Sequence, residues 1–146
     1  MAENQYDAIV VGARCAGSPT AMLLARKGYK VLVVDRSTFP SDTVSTHIVH
    51  PPGVADLRRW GLLDRLTATG CPPIDTYSFD FGPFTISGSP GTVEAPAAYG
   101  PRRTVLDKLL VDAAFVYVGN VRMVELFGIH EPPGNRDQPR AATLGE

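Results

Sequence analysis

The residues from Tyr6 to Asp35 run without a break as apolar stretch, glycine turn, helical stretch, second apolar stretch and acid, an order that few folds accept. Tyr6-Asp7-Ala8-Ile9-Val10-Val11 is short, rich in β-branched residues and stops at Gly12, as a buried parallel strand would. Gly12-Ala13-Arg14-Cys15-Ala16-Gly17 then turns the chain. From Ala16 to Lys27, the residues Ala21, Leu24 and Ala25 recur at helical spacing, and Gly28 supplies a permissive residue where the helix must stop. Val31-Leu32-Val33-Val34 returns as a second buried strand, and Asp35 closes it 23 positions after Gly12. Dinucleotide-binding βαβ units place the acid that takes a ribose hydroxyl close to this spacing.

The turn predicts an anion site. The first turn of a helix leaves backbone N–H groups unpaired and carries a partial positive charge. A pyrophosphate set over Gly12, Ala13, Arg14, Cys15, Ala16 and Gly17 therefore satisfies donors and gains about 0.3–1 kcal/mol from the dipole. Gly17 lets helix and strand approach closely, and Asp35 is placed to accept hydrogen bonds from ribose hydroxyls, each of about 1.5–3 kcal/mol. Arg14 stands where G-x-G-x-x-G has its middle glycine. Two readings of it remain open: the guanidinium turns toward the phosphates, or it points to solvent from a displaced loop.

Val10-Val11-Gly12-Ala13-Arg14-Cys15-Ala16-Gly17-Ser18 followed by Val33-Val34-Asp35-Arg36 resembles the opening of FAD-dependent oxidoreductases of the aromatic-ring hydroxylase and geranylgeranyl reductase group. Thr46-His47 through Pro52-Gly53-Val54, leading into Leu57-Arg58-Arg59-Trp60-Gly61-Leu62, resembles the loop and helix that follow the second strand there. Arg103-Thr104-Val105-Leu106-Asp107 resembles their Arg-x-x-Leu-Asp helix, which implies that Arg103 lies near the flavin. The resemblance runs from about residue 5 to residue 114 and implies FAD as cofactor, a small-molecule substrate, and a monooxygenase-like cycle in which NAD(P)H reduces the flavin before oxygen reacts. Those enzymes carry a later Gly-Asp cofactor segment that has no match here, so the expectation is the N-terminal part of such an oxidoreductase, truncated or diverged after residue 114.

Two other readings use the same βαβ physics. In one, the chain is an NAD(P)-dependent reductase in which Asp35 holds the ribose and Arg36 contacts a 2′-phosphate. In the other, it is a non-catalytic nucleotide-binding remnant. The Thr46–Leu62 and Arg103–Asp107 segments argue for FAD.

Composition sets outer limits. A chain of 146 residues with 44% hydrophobic content has room for one compact domain, and a net charge of −1 offers no basic field for nucleic acid or an anionic membrane. No apolar run approaches the roughly 20 residues of a membrane helix, and Met1-Ala2-Glu3-Asn4-Gln5 lacks the basic start of a signal peptide, so a cytoplasmic location is expected. Cys15 and Cys71 stand too far apart for a C-x-x-C pair. Cys15 reads as a small buried filler, with a helix-terminal thiol of lowered pKa as the sharper alternative. His47 and His50 are loop candidates for proton transfer, but a structural hydrogen bond is the plainer reading; His130 falls in the tail. No hydrolytic triad and no clustered metal set is legible.

The fold class that follows is α/β: an incomplete Rossmann-like FAD-binding βαβ unit, a small antiparallel region and an irregular C-terminal tail. After Pro52, Val54, Leu57, Leu63 and Leu66 predict one helical face that ends at Gly70. Within about 76–98, Tyr77, Phe79 and Phe81 alternate with polar residues and Gly82-Pro83 precedes Phe84-Thr85-Ile86, which predicts paired strands; the resemblance implies that they contribute to a substrate-side sheet, and the aromatic row reads as core, with a substrate wall as the alternative. Residues 1–114 form the expected FAD-binding domain and 115–146 a divergent tail. Residues Phe115 to Ile129 are open between a strand and a helix around Val121 to Phe127, and disorder is expected over 131–146. Only two parallel strands are legible, and an incomplete sheet predicts self-association through exposed edges.

Overall fold

The computed structural model describes residues 5–117 and 119–125. Strand β1 (Ala8–Val11), helix α1 (Gly17–Arg26) and strand β2 (Val31–Asp35) form the expected βαβ unit. β1 and β2 run parallel, with Ala8 opposite Val31 and Val11 opposite Val34. Helix α1 stops because Gly28 takes φ +89°, which a β-carbon would strain, and the N–H groups of Lys27 and Gly28 close back on the carbonyls of Leu24 and Ala25.

Two helices follow the loop after β2: α2 (Pro51–Arg59) and α3 (Leu63–Thr67). The sequence reads this stretch as one helix. It divides because Gly61 adopts φ +76° and lets Leu62 N donate to the Leu57 carbonyl at 2.8 Å. The apolar face survives the break, with Val54, Leu57, Leu63 and Leu66 all buried, while Arg58, Arg59, Asp64 and Arg65 stay in solvent. Short strands β3 (Pro73–Ile74) and β6 (Ala98–Tyr99) pair with each other, and between them β4 (Tyr77–Asp80) and β5 (Thr85–Gly88) form an antiparallel hairpin. Helix α4 (Arg103–Phe115) then leads to β7 (Val121–Glu125).

β7 settles the alternative left open by periodicity, and it corrects the expectation of two parallel strands. It lies parallel to β2 from Val31–Val121 to Asp35–Glu125, so the sheet order is β1-β2-β7. Its third strand thus comes from beyond residue 114. The expected tail over 131–146, with His130, lies outside the described residues.

Two apolar clusters hold these elements together. One joins the inner face of the sheet to α1 through Ala21, Ala25, Val31, Val33, Val111 and Val121; the other joins α2, α3 and α4 through Val54, Leu57, Leu66, Leu106 and Leu110, with Met22 from α1. Helix α4 faces both.

Two strand readings need correction. β1 is not buried on both faces: Ile9 and Val11 are 66% and 81% exposed, on the side of the sheet away from α1. Nor does the aromatic row enter the core, since Phe79, Phe81, Phe84 and Ile86 all remain more than half exposed. The hairpin closes on itself, with Phe79 opposite Ile86 and the Phe81 and Phe84 rings stacked at 5.1 Å. Period-2 alternation marks a strand with one apolar face, but it does not say what covers that face.

The two environments predict different mutational costs. Leu66→Ala, at a side chain with no exposure, loses about 2–5 kcal/mol of stability in urea denaturation, whereas Phe81→Ala, mostly in solvent, stays below about 1 kcal/mol.

Candidate functional site

The glycine turn is held by three close contacts. A β-carbon on Gly17 would sit 1.6 Å from the Gly12 carbonyl oxygen and 3.1 Å from Val10 Cγ1, so α1 begins where only glycine fits. Gly12 itself takes φ +96° and donates its N–H to the Val34 carbonyl at 2.7 Å. Ser18 Oγ, buried, donates to the Ala13 carbonyl at 2.6 Å. No side chain caps α1, and its first bond runs from Ser18 N to the Arg14 carbonyl at 3.1 Å. The N–H groups ahead of that bond, from Cys15 to Gly17, point out of the helix end.

Asp35 has a structural task in addition to the one read from the sequence. Its carboxylate accepts from Ala13 N at 2.6 Å and from Ser37 N at 2.8 Å, and the residue is only 8% exposed. It clamps the start of the turn to the end of β2. Each oxygen keeps further lone-pair capacity toward the turn. Arg36 beside it is exposed.

Arg14 follows neither of its two expected courses. Its guanidinium reaches across to α4, donating to Asp107 Oδ2 at 2.6 Å and to Ser41 Oγ at 2.9 Å, and lies 5.4 Å from the centre of the Phe39 ring. Arg103 meets the same carboxylate from one helical turn earlier, through Nη2 at 2.9 Å and Nε at 3.1 Å to Oδ1. Asp107 is wholly buried. Two guanidiniums on one carboxylate leave the cluster with a surplus positive charge beside the turn.

The structure also corrects both readings of Cys15. The residue is exposed rather than buried, while its sulfur donates to Asp107 Oδ1 at 3.3 Å. Desolvation of the sulfur, which faces inward to Asp107, pushes the thiol above its ordinary 9.0, and the neighbouring Asp107 pushes it further, against a smaller opposing pull from Arg103. The helix end does not lower it.

A cleft of about 390 Å³ opens beside Cys15 and Arg103. Ser45, His47, Trp60 and Leu110 line it together with residues of α2, so its walls combine the loop after β2 with the faces of α2 and α4. His47 adopts φ +58°, with its N–H on Ser45 Oγ at 3.2 Å. His50 also lines the cleft, and its Nδ1 lies 2.9 Å from the Tyr77 hydroxyl, which ties the start of α2 to the hairpin. Thus Gly12–Gly17, Asp35 and Arg103 gather at one end of the sheet. Asp107 and Ser41 join them unannounced by the nucleotide motif, although the spacing of Arg103 and Asp107 on one helix is a signal for that pair.

A glycine turn closed against β1, an uncapped helix start and an anchored acid at the end of β2 are the arrangement of a dinucleotide-binding βαβ domain. The profile of the FAD binding domain family matches residues 5–123, and the chain belongs to that family, with FAD as its cofactor. Squalene monooxygenase of Candida glabrata is 29% identical over 133 residues, covering 91% of this chain and 25% of the yeast protein. Menaquinone reductase of Mycobacterium tuberculosis is 43% identical over 60 residues, 41% of this chain and 15% of that protein. Among solved structures, the myxobacterial FAD-dependent halogenase CndH superposes with a TM-score of 0.71 at 24% identity, over 81% of this chain and 28% of its own. The chain therefore spans a quarter or less of the length of these two curated relatives.

The raised pKa of Cys15 has a direct readout. The thiolate fraction of Cys15 is smaller than that of a free cysteine at the same pH, so its carboxymethylation at pH 7.5 runs slower and its rate profile is displaced to higher pH. A rate equal to that of the free thiol would contradict the Asp107 contact.

Proposed function

We propose that this chain is the FAD-holding part of an NAD(P)H-dependent flavoprotein oxidoreductase of the monooxygenase type, acting on a small apolar molecule. The observation that carries the reading is the cradle at Gly12–Gly17, where α1 meets β1 with no room for a β-carbon and no side chain caps the helix. In this reading the diphosphate of FAD lies over the N–H groups of Cys15, Ala16 and Gly17. The free lone pairs of Asp35 take ribose hydroxyls, and Arg103 sits toward the flavin end at the mouth of the cleft. Flavin, when bound, supplies the redox chemistry. The chain supplies position: Arg103, paired with Asp107, lines the cleft, and Leu57, Trp60, Leu106 and Leu110 keep it apolar. The apolar substrate class is supported by the squalene and menaquinone in the names of its relatives.

The test is FAD titration followed by flavin fluorescence. Wild-type protein binds FAD and gains thermal stability with it, while Gly17→Ala and Asp35→Ala each weaken binding by tenfold or more. Undiminished affinity in both variants would sink the assignment of the cradle.

Self-association belongs to the same proposal. Strand β1 has β2 as its one neighbour among the described residues, and Ile9 and Val11 are exposed beside its free edge. Sedimentation should show concentration-dependent association that Ile9→Lys abolishes; a monomer at every concentration removes this part of the reading. No helix among the described residues is long and apolar enough to cross a membrane.

A further inference from the structure

The turn carries an arginine where the regular nucleotide motif has its middle glycine, and that glycine is what lets a diphosphate approach the backbone. A side chain of Arg14's length at this position has two places to go: over the N–H groups of the turn or away from them. In the structure it goes away, past the Phe39 ring, and ends on Asp107 and Ser41. The residue that holds it lies 93 positions later on α4 and is the least exposed acid in the protein's described part, with no solvent contact. Asp107 accepts from Arg14, twice from Arg103 through Oδ1 and once through Oδ2, and from the Cys15 thiol. A buried carboxylate without a charged partner would carry a large desolvation cost, and Arg103 alone, through three bonds, keeps Asp107 paired.

We propose that Asp107 is a positioning residue for the cofactor site: it draws the Arg14 side chain off the turn, so that an arginine does the work of the absent glycine. This rests on the reading that the FAD diphosphate lies over the turn. Arg14 is then a side chain parked on a buried acid, and Arg103 is the guanidinium left facing the cleft. The proposal makes the effect of removing Arg14 depend on what occupies position 107. With Asp107 in place the side chain is already off the turn, and its loss changes little. Without Asp107 it is released onto the donors that the diphosphate needs, and its loss becomes an advantage.

The experiment measures FAD affinity of the full chain by flavin fluorescence, together with thermal stability in the absence of FAD. Arg14→Gly binds within about threefold of wild type, Asp107→Asn binds at least tenfold more weakly, and the double variant binds at least fivefold more tightly than Asp107→Asn alone. A purely structural role for Asp107 moves the thermal midpoint but gives no such reversal. Should Asp107→Asn fail to fold, Arg14→Met carries the test, since methionine has comparable length and nothing Asp107 can hold; it weakens FAD binding tenfold or more while Arg14→Gly does not. The proposal is overturned if the double variant binds no better than Asp107→Asn, if Arg14→Met binds like wild type, or if Arg14→Gly alone costs tenfold because the arginine itself grips phosphate. A wild-type chain that binds no FAD overturns the underlying cofactor site, a result distinct from all three.

Discussion

The start of α1 against the end of β1 is the contact on which the nucleotide end of the molecule depends. The Gly17 backbone stands so near the Gly12 carbonyl that a β-carbon would overlap it at 1.6 Å, and the peptide between them is held at both of its polar groups. The Ala13 carbonyl accepts from Ser18 on α1, and the Ala13 N–H donates to Asp35 on β2. Two elements, α1 and β2, thus converge on one residue of the turn. Its shape is set before a ligand arrives, which reduces the ordering cost that binding would otherwise carry.

Charge is arranged around this turn by an element far away in sequence. Asp107 projects from α4 with no exposed surface, and isolating a carboxylate in that way would cost several kcal/mol without partners. Arg103 and Arg14 supply them, the first through a two-point contact on the same helix and the second from the turn itself. The Cys15 thiol, although at a helix start, is pushed above its ordinary value, first by desolvation of its sulfur and then by the Asp107 carboxylate that it touches.

What the sequence made legible was local. Strand, turn, helix and second strand follow from apolar runs and from the glycines at 12, 17 and 28, because each of those signals acts within a few residues. Asp35 was legible by spacing, but not its bonds to Ala13 and Ser37. The course of Arg14 could not be read, since the carboxylate that captures it is 93 residues away and nothing in the pattern links the two. Strand β7 was ambiguous for a related reason. In Val121-Arg122-Met123-Val124, the residues Val121 and Met123 face α1 and α4, while Arg122 and Val124 are exposed on the bare side. That alternation is weak over so short a run, and pairing with β2 decides it. The aromatic hairpin shows the converse: alternation identified its strands, but burial depends on neighbours that period-2 patterning does not name.

Parallel sheets are usually covered on both faces, and the described residues cover this one on one. The inner residues Val31, Val33 and Val121 pack under α1 and α4, while Ile9, Val11 and Val124 are exposed on the other side. Among the described residues, hydrophobic stabilisation is therefore concentrated on the side of α1 and the glycine turn, and α4 belongs to both apolar clusters there. One helix supplies Leu109 and Leu110 to the core, Asp107 to the charge cluster and Arg103 to the cleft. A shift of α4 cannot loosen the packing without also moving the carboxylate that holds Arg14. Stability and cofactor geometry are consequently coupled through a single element, so a ligand that fixes the turn also restrains α4, and through it the core.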